Sequence, residues 1–244
     1  RLSGYDFVHK IPGYKQGYFT VQDESSMCAV AAAGIRADDF VLDICAAPGG
    51  KTTAAAELAR NGHVLSMDIA EDKLDLIEEN VERLKLANVE IHCQDATDYM
   101  AEQEEKADVV IADLPCSGLG IIGRKPDIKY HTTKENLREL SKLQKEILSV
   151  VWKYVKPGGR LIYSTCTINK EENAENARWI TENLPFKPED LTEAFSSKGE
   201  RYACLKENMY PGADLKNGQI QILPGIHPFE AFVGFFISVF KSEA

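Results

Sequence analysis

The 244 residues suffice for one large domain, and a hydrophobic content of 44% supplies a substantial core. No apolar run approaches the roughly 18 residues of a membrane span. The opening residues lack the apolar centre of a signal peptide, so a cytoplasmic protein is expected. A formal charge of −10, from 38 acidic against 28 basic residues, excludes a generally polyanion-binding surface. A nucleic-acid partner must then be met by locally concentrated cations or by charge from another part of the protein.

In chain order, the Gly- and Tyr-rich start reads as short strands or a flap, and 23–34 as a lead-in helix stopped at Gly34. Residues 40–45 read as a buried strand and 51–62 as a helix ended by Asn61 and Gly62. A strand follows at 63–68, then a helix at 71–86 with Leu74, Ile77, Val81 and Leu84 on one face. Residues 89–93 and 107–113 are further strands. In "TTKE" (132–135), Thr132 and Glu135 have capping-box spacing, opening a long helix that ends near Val155 with "KPGG" as its stop. A strand at 160–166, a helix at 170–184, a loop at 196–218 and a β-rich run at 232–240 complete the chain. Strand and helix alternate from 40 to 184, which predicts an α/β fold: a mostly parallel sheet with helices on both faces.

The stretch "DICAAPGGKTT" (43–53) joins the first strand to the second helix. It ends like a phosphate-binding loop, but the opening glycine of that motif would fall at Cys45, and Pro48 removes a backbone N–H from the cradle. The dinucleotide fingerprint GxGxxG is absent as well. What remains is a strand ending in an acid, a loop of small residues and a helix start. Small residues at 46, 47, 49 and 50 let the backbone approach a ligand closely. Asp68 closes the second strand, where a carboxylate can accept from ribose hydroxyls; Asp95 follows the third, placed for an adenine edge or for loop amides. Either acid alone reads as a cap or turn residue. In this order, beside a Gly-Gly loop, they fit a ligand with a ribose and an adenine that needs no phosphate cradle. S-adenosylmethionine meets that description.

Six cysteines stand at 28, 45, 93, 116, 166 and 204 without a CxxC pair, so no metal site is expected, and buried reduced thiols are the default. Two break that default. "ADLPCSGLG" (112–120) and "YSTCT" (163–167) each put a cysteine just past a strand, at the sheet edge where the ligand binds. Carbon 5 of a pyrimidine is too poor a nucleophile to attack a methyl sulfonium. A thiolate adding to carbon 6 makes it an enamine carbon and so activates carbon 5. The sequence of steps then needs an acid at N3 and a base near carbon 5. Two cysteines and Asp113 can supply the three roles; spacing does not say which thiol is the nucleophile.

These motifs, with "VQDESS" (21–26), "RKPDIKY" (124–130), "LQKEIL" (143–148) and "KPGG" (156–159), resemble the Nol/Nop/Sun family of RNA cytosine-5 methyltransferases, and within it the bacterial Sun/Fmu type. The resemblance spans nearly the whole chain. It implies a Rossmann-like, seven-stranded methyltransferase sheet with a last antiparallel strand near 232–240, in a catalytic domain over 35–244. It implies S-adenosyl-L-methionine held by Cys45, Ala46, Ala47, Pro48, Gly49, Gly50 and Lys51, with Asp68, Asp95 and Asp113 as further contacts. Cys166 is the implied nucleophile, and Cys116 the thiol that assists breakdown of the covalent adduct. The implied substrate is small-subunit (16S) ribosomal RNA, with 23S RNA, transfer RNA or a catalytically silent RNA-binding role as alternatives. A DNA amino-methylase is disfavoured by Leu114-Pro115-Cys116 after Asp113, whereas a DNA cytosine methylase, which would use Cys116 as nucleophile, is separated by the two single cysteine variants.

Two departures stand out. Val233 occupies the place of the family's Asp in "DGFF". Nothing resembles the helical RNA-recognition domain that precedes such enzymes, and the chain lacks a start Met, so a catalytic fragment is expected. Arg124 and Lys125, beside Lys129 and His131, are candidate phosphate contacts.

Overall fold

Five strands run parallel, and four of them are runs dense in buried Val, Ile and Leu covered on both faces, whereas the edge strand at 89–93 is only partly buried. In the computed structural model, which describes residues 7–193, 214–224 and 233–243, these are β1 (Phe40–Ile44), β2 (His63–Asp68), β3 (Val89–Cys93), β4 (Ala107–Asp113) and β5 (Val155–Thr165). Three shorter or later strands, β6 (Phe186–Pro188), β7 (Gln219–Ile222) and β8 (Phe235–Ser242), complete the sheet. Its order is β3-β2-β1-β4-β5-β8-β6. β8 runs antiparallel to β5, and β6 and β7 share its other edge. The expected seven-stranded sheet with an antiparallel strand near the end is present, its outer position divided between β6 and β7.

The strands alternate their side chains between two cores, as the pleat dictates. Val41, Val109, Ile111, Ile162 and Val239 pack with Ala29, Ala32, Ala55 and Ala56 of helices α1 (Glu24–Ala32) and α2 (Gly50–Leu58). Leu42, Val110, Leu161 and Phe240 face the other way, toward Leu148, Val151 and Ile180. Those last three belong to α5 (Lys134–Val151) and α6 (Ala174–Asn183). α3 (Glu71–Leu84) lays Ile77 and Val81 against Ala46. Full burial of each large aliphatic side chain contributes about 1.5–3 kcal/mol.

Several boundaries differ from the sequence reading. The cap of α5 is Thr133, whose Oγ1 accepts from the Asn136 amide, not Thr132. Thr132 is already committed: its hydroxyl donates to the Ile128 carbonyl and closes a short helix, α4 (Ile128–His131), that periodicity cannot reveal in four residues. "KPGG" does not stop a helix. α5 ends at Val151, and 156–159 lie inside β5 where the register against β4 shifts, with Gly158 at φ +73°. α6 starts at 174 rather than 170, because Asn173 is buried with its amide bonded to Thr165 and the Thr167 carbonyl. Among the described residues, the start of the chain is a short 3-10 helix and turns without strands. Most of the predicted loop at 196–218 and Phe232 lie outside the described residues; 215–217 form a 3-10 turn.

The strand order reverses between β1 and β4. In an open parallel sheet this switch point leaves a crevice beyond the carboxyl ends of the strands, which is where ligands bind. The ends of β1, β4 and β5 carry Asp43, Asp113 and Cys166.

Candidate active site

A cleft of about 220 Å³ opens at the switch point, lined by Val21, Gln22, Asp23 and Ser26 on one wall and by Asp43, residues 45–48, Gly50, Lys51 and Asp113 on the other. The loop that forms its floor is tightly turned. Cys45 has φ +59°, the Ala47–Pro48 peptide is cis, and Gly49 sits at φ +92°. A Cβ at Gly49 would lie 3.1 Å from the Ile77 Cα, so only glycine lets the loop lie against α3.

Asp68 braces this loop from behind. Its Oδ2 accepts from the Ala47 amide at 3.0 Å and its Oδ1 from the Ala70 amide at 3.1 Å. Asp95 stands at the end of β3, its Oδ1 taking the amide and hydroxyl of Thr97, which hold its carboxyl below the usual range. Neither acid lines the cleft.

Asp43, fully buried in β1, does line it. Its Oδ2 accepts from Thr52 Oγ1 at 2.6 Å, whereas Oδ1 has no partner; across the cleft, Gln22 Nε2 is likewise buried and unpaired. Burial pushes the Asp43 carboxyl up to about 7 against the pull of Thr52 and Lys51. One orphaned acceptor and one orphaned donor on residues that line a shared cleft match a ligand that carries both an amino and a carboxylate group. The methionyl end of S-adenosylmethionine has that pair, and the small-residue floor suits its adenosyl part. Sequence reasoning noted an acid closing the strand without assigning it here. The signal was a carboxylate inside an otherwise apolar buried run, which needs a reason to be there.

Lys51 reaches from the first turn of α2 to Asp113, its Nζ donating to Oδ2, while Ser164 Oγ donates to Oδ1 at 2.8 Å. Burial pulls the Lys51 ammonium down, but the Asp113 charge and hydrogen bond outweigh it and leave it above its ordinary value.

The two thiols past β4 and β5 meet. Cys116 Sγ and Cys166 Sγ are 3.1 Å apart, and the Cys166 amide donates to Cys116 Sγ at 3.2 Å. Donation to Cys166, added to burial, holds Cys116 well above the usual thiol range. The same hydrogen bond, received by Cys166 and supported by the Lys51 charge, holds Cys166 below it despite burial and Asp113. The two opposite shifts favour Cys116 over Cys166 as the holder of the shared proton. Cys45 is no competitor, since burial and the surrounding carboxylates push it up to about 12.

Gly120 lets the loop after Cys116 close over this pair. A Cβ there would fall 2.0 Å from the Gly234 carbonyl oxygen and 2.7 Å from that of Cys166. Val233, beside that contact, is buried. Arg124 is tied to the cleft rim, with its Nη2 2.6 Å from Asp23 Oδ2; Lys125 is exposed. Among the described residues, no cluster of three or more His, Cys, Asp or Glu could hold a metal ion, and no helix is long and apolar enough to cross a membrane.

Residues 31–241 match the family described as 16S rRNA methyltransferase RsmB/F. The chain belongs to that family. Among RsmB/F relatives, it is similar to the ribosomal RNA small subunit methyltransferase B of Salmonella arizonae, 41% identical over 86% of this chain and 48% of that protein. It is also similar to the Vibrio cholerae protein of the same name, 34% identical over 97% of this chain and 49% of that one. The chain thus spans about half the length of these curated relatives. Among solved structures it is similar to NSun6 from Pyrococcus horikoshii, solved with SFG. That likeness has a TM-score of 0.79 at 26% identity over 98% of this chain and 57% of that one. The RsmB/F cleft and thiol pair described above therefore sit on the Rossmann-like methyltransferase fold that the sequence leads one to expect.

Proposed function

We propose that this chain is the catalytic portion of an S-adenosylmethionine-dependent enzyme that methylates carbon 5 of a cytosine in small-subunit ribosomal RNA in the cytoplasm, through a covalent adduct with Cys166. The observation that carries this reading is the 3.1 Å contact between Cys116 and Cys166, with Cys166 held below the usual thiol range, at the sheet edge shared with the cleft. The relatives' names support the RNA, and the orphaned Asp43 Oδ1 and Gln22 Nε2 support the cofactor.

Bound in the cleft, S-adenosylmethionine supplies an electrophilic methyl group. Asp43 Oδ1 would accept from its amino group, and Gln22 Nε2 would donate to its carboxylate. On the protein's side, Cys166 Sγ forms a bond to carbon 6 of the cytosine, and the displaced electron pair makes carbon 5 nucleophilic. Asp113, released from Lys51 and carrying a proton, gives it to N3 as carbon 6 is attacked and takes it back when the adduct collapses. After carbon 5 is methylated its proton leaves to a base beside it, and the electron pair left behind expels Cys166. Cys116 is placed to take part in that release. The base must leave its stack to reach both sulfurs, so the target is a flipped or unpaired nucleotide.

Labelled S-adenosylmethionine with unmodified small-subunit ribosomal RNA should give label in 5-methylcytosine, located by bisulfite sequencing. Cys166→Ala should abolish turnover and form no denaturation-stable RNA adduct. An adduct that survives Cys166→Ala and disappears in Cys116→Ala would reverse the two roles. Label elsewhere than cytosine would refute the reaction.

A further inference from the structure

One carboxylate in the thiol half touches neither thiol nor cleft, yet gathers the loops that carry both cysteines. Glu172, in the turn before α6, has 0% exposure. Its Oε2 accepts from the Ser117 amide at 2.8 Å and from Gln144 Nε2 at 3.2 Å. Its Oε1 accepts from Ser117 Oγ at 2.6 Å and from Asn169 Nδ2 at 3.1 Å. All four are neutral donors. Sequestering a carboxylate from water is costly unless its lone pairs are filled, and four aimed donors fill them.

The donors' addresses give the clamp its meaning. Ser117 follows Cys116 directly and is held at both its amide and its hydroxyl. Its Oγ also lies 2.8 Å from Thr167 Oγ1, the residue directly after Cys166, and the Asn169 amide donates to that same Thr167 oxygen at 3.2 Å. Gln144 ties the assembly to α5 and, through the Pro115 carbonyl at 2.8 Å, to the residue before Cys116. Two segments 50 residues apart are thus bolted together on either side of the sulfur contact.

We propose that Glu172 is a positioning residue: by clamping the Cys116 loop to the Cys166 loop it sets the sulfur–sulfur contact, and through it the readiness of Cys166 to attack and of Cys116 to assist release. The assignment of attack and release rests on the function proposed above; the clamp itself does not. Replacement by glutamine keeps the volume but puts an NH2 where an acceptor was. On the Oε2 side it confronts the Ser117 amide, which cannot turn away, and Gln144. Gln144 cannot flip without abandoning Asn176, which donates to its Oε1 at 2.7 Å. On the Oε1 side it confronts Asn169 and the Ser117 hydroxyl. The Ser117 hydroxyl can turn onto Thr167, but at least one donor loses its acceptor in either case.

The test measures Cys166 alkylation by iodoacetamide against pH in the full chain, read peptide by peptide by mass spectrometry and needing no RNA or cofactor. Glu172→Gln should slow alkylation of Cys166 at pH 7 by about fivefold and move its profile to higher pH, since a thiol without its aimed donor drifts toward the ordinary range. Ser117→Ala should do the same by about twofold. Leu148→Ala, a cavity in the apolar core, should lower Tm while leaving the profile in place. A folded Glu172→Gln protein with the wild-type profile overturns the proposal. Should that variant not fold, an unchanged profile in Ser117→Ala overturns it equally. In the presence of RNA, Glu172→Gln should accumulate the adduct as Cys116→Ala does, with the cofactor KM unchanged. A wild type that forms no adduct while its alkylation profile responds as described would sink the reaction and leave the clamp standing.

Discussion

The two halves of the site are built on opposite principles. At the end of β1, the cofactor side is made of backbone turns and small residues, and it leaves polar atoms open: Asp43 Oδ1 and Gln22 Nε2 are buried with no partner. Past β4 and β5, the thiol side is saturated. Glu172 collects four donors, Asp113 bonds both Lys51 and Ser164, and each sulfur has the other. An unpaired buried polar group costs about 1–3 kcal/mol, a cost that a ligand relieves when it binds. A half that must capture and release a diffusible molecule gains from such vacancies. A half that forms and breaks a covalent bond gains from a nucleophile already aimed, because reorganisation during the reaction adds to the barrier.

The contrast can be broken at its strongest point first. Cys116→Ala removes the donor to Cys166 and the thiol placed for release. Adduct formation should slow, but release should all but stop, so a denaturation-stable protein–RNA species accumulates at least about tenfold over wild type on denaturing gels. Equal adduct levels in both proteins would mean that the saturated half does not divide the labour between its sulfurs.

Next comes the open half. Asp43→Asn can keep its oxygen on Thr52 while presenting an NH2 to the cleft, so the fold survives and the vacant acceptor is lost. The Kd for S-adenosylmethionine by calorimetry should rise about tenfold or more, with the Cys166 alkylation profile unmoved. The same variant carries a pH signature. Burial raises Asp43 from 3.8 to about 7, so the folded chain holds this proton more tightly than the unfolded one. Its contribution to stability is present below about 4 and is lost as the pH climbs through about 7. Asp43→Asn should therefore flatten the fall of Tm between pH 4 and 8; a slope identical to wild type would show that the carboxyl is not held protonated.

The smallest effects are expected at the rim. Arg124 is paired with Asp23, a wall residue of the cleft, whereas Lys125 is exposed. Lys125→Ala should weaken RNA binding modestly and reduce its salt slope by about 1, leaving the cofactor KM alone; Arg124→Ala should raise both KM values. Salt titrations that superimpose on wild type would remove Lys125 from the RNA surface.

Much of this was legible beforehand. β2 and β4 have the bounds their apolar runs suggested, and both cysteines stand past strand ends as expected. Some local signals failed because another partner took the group first. Thr132 looked like a cap until Ile128 claimed its hydroxyl. "KPGG" looked like a stop until pairing with β4 drew it into a strand. β6, with three residues, and β7, with four, are too short to show a period.

By itself the sequence determined the order of strands and helices, the loop of small residues, and the set of side chains able to do thiol chemistry. These follow from periodicity and from steric limits that act within a few residues. Tertiary structure alone decided that β1, β4 and β5 are neighbours. It thereby decided that Lys51 meets Asp113, that Cys116 meets Cys166, and that Glu172 bolts their loops together. The physical reason is distance along the chain: these contacts join residues about 50 or more positions apart, and no local rule prices an encounter that only sheet order and close packing create.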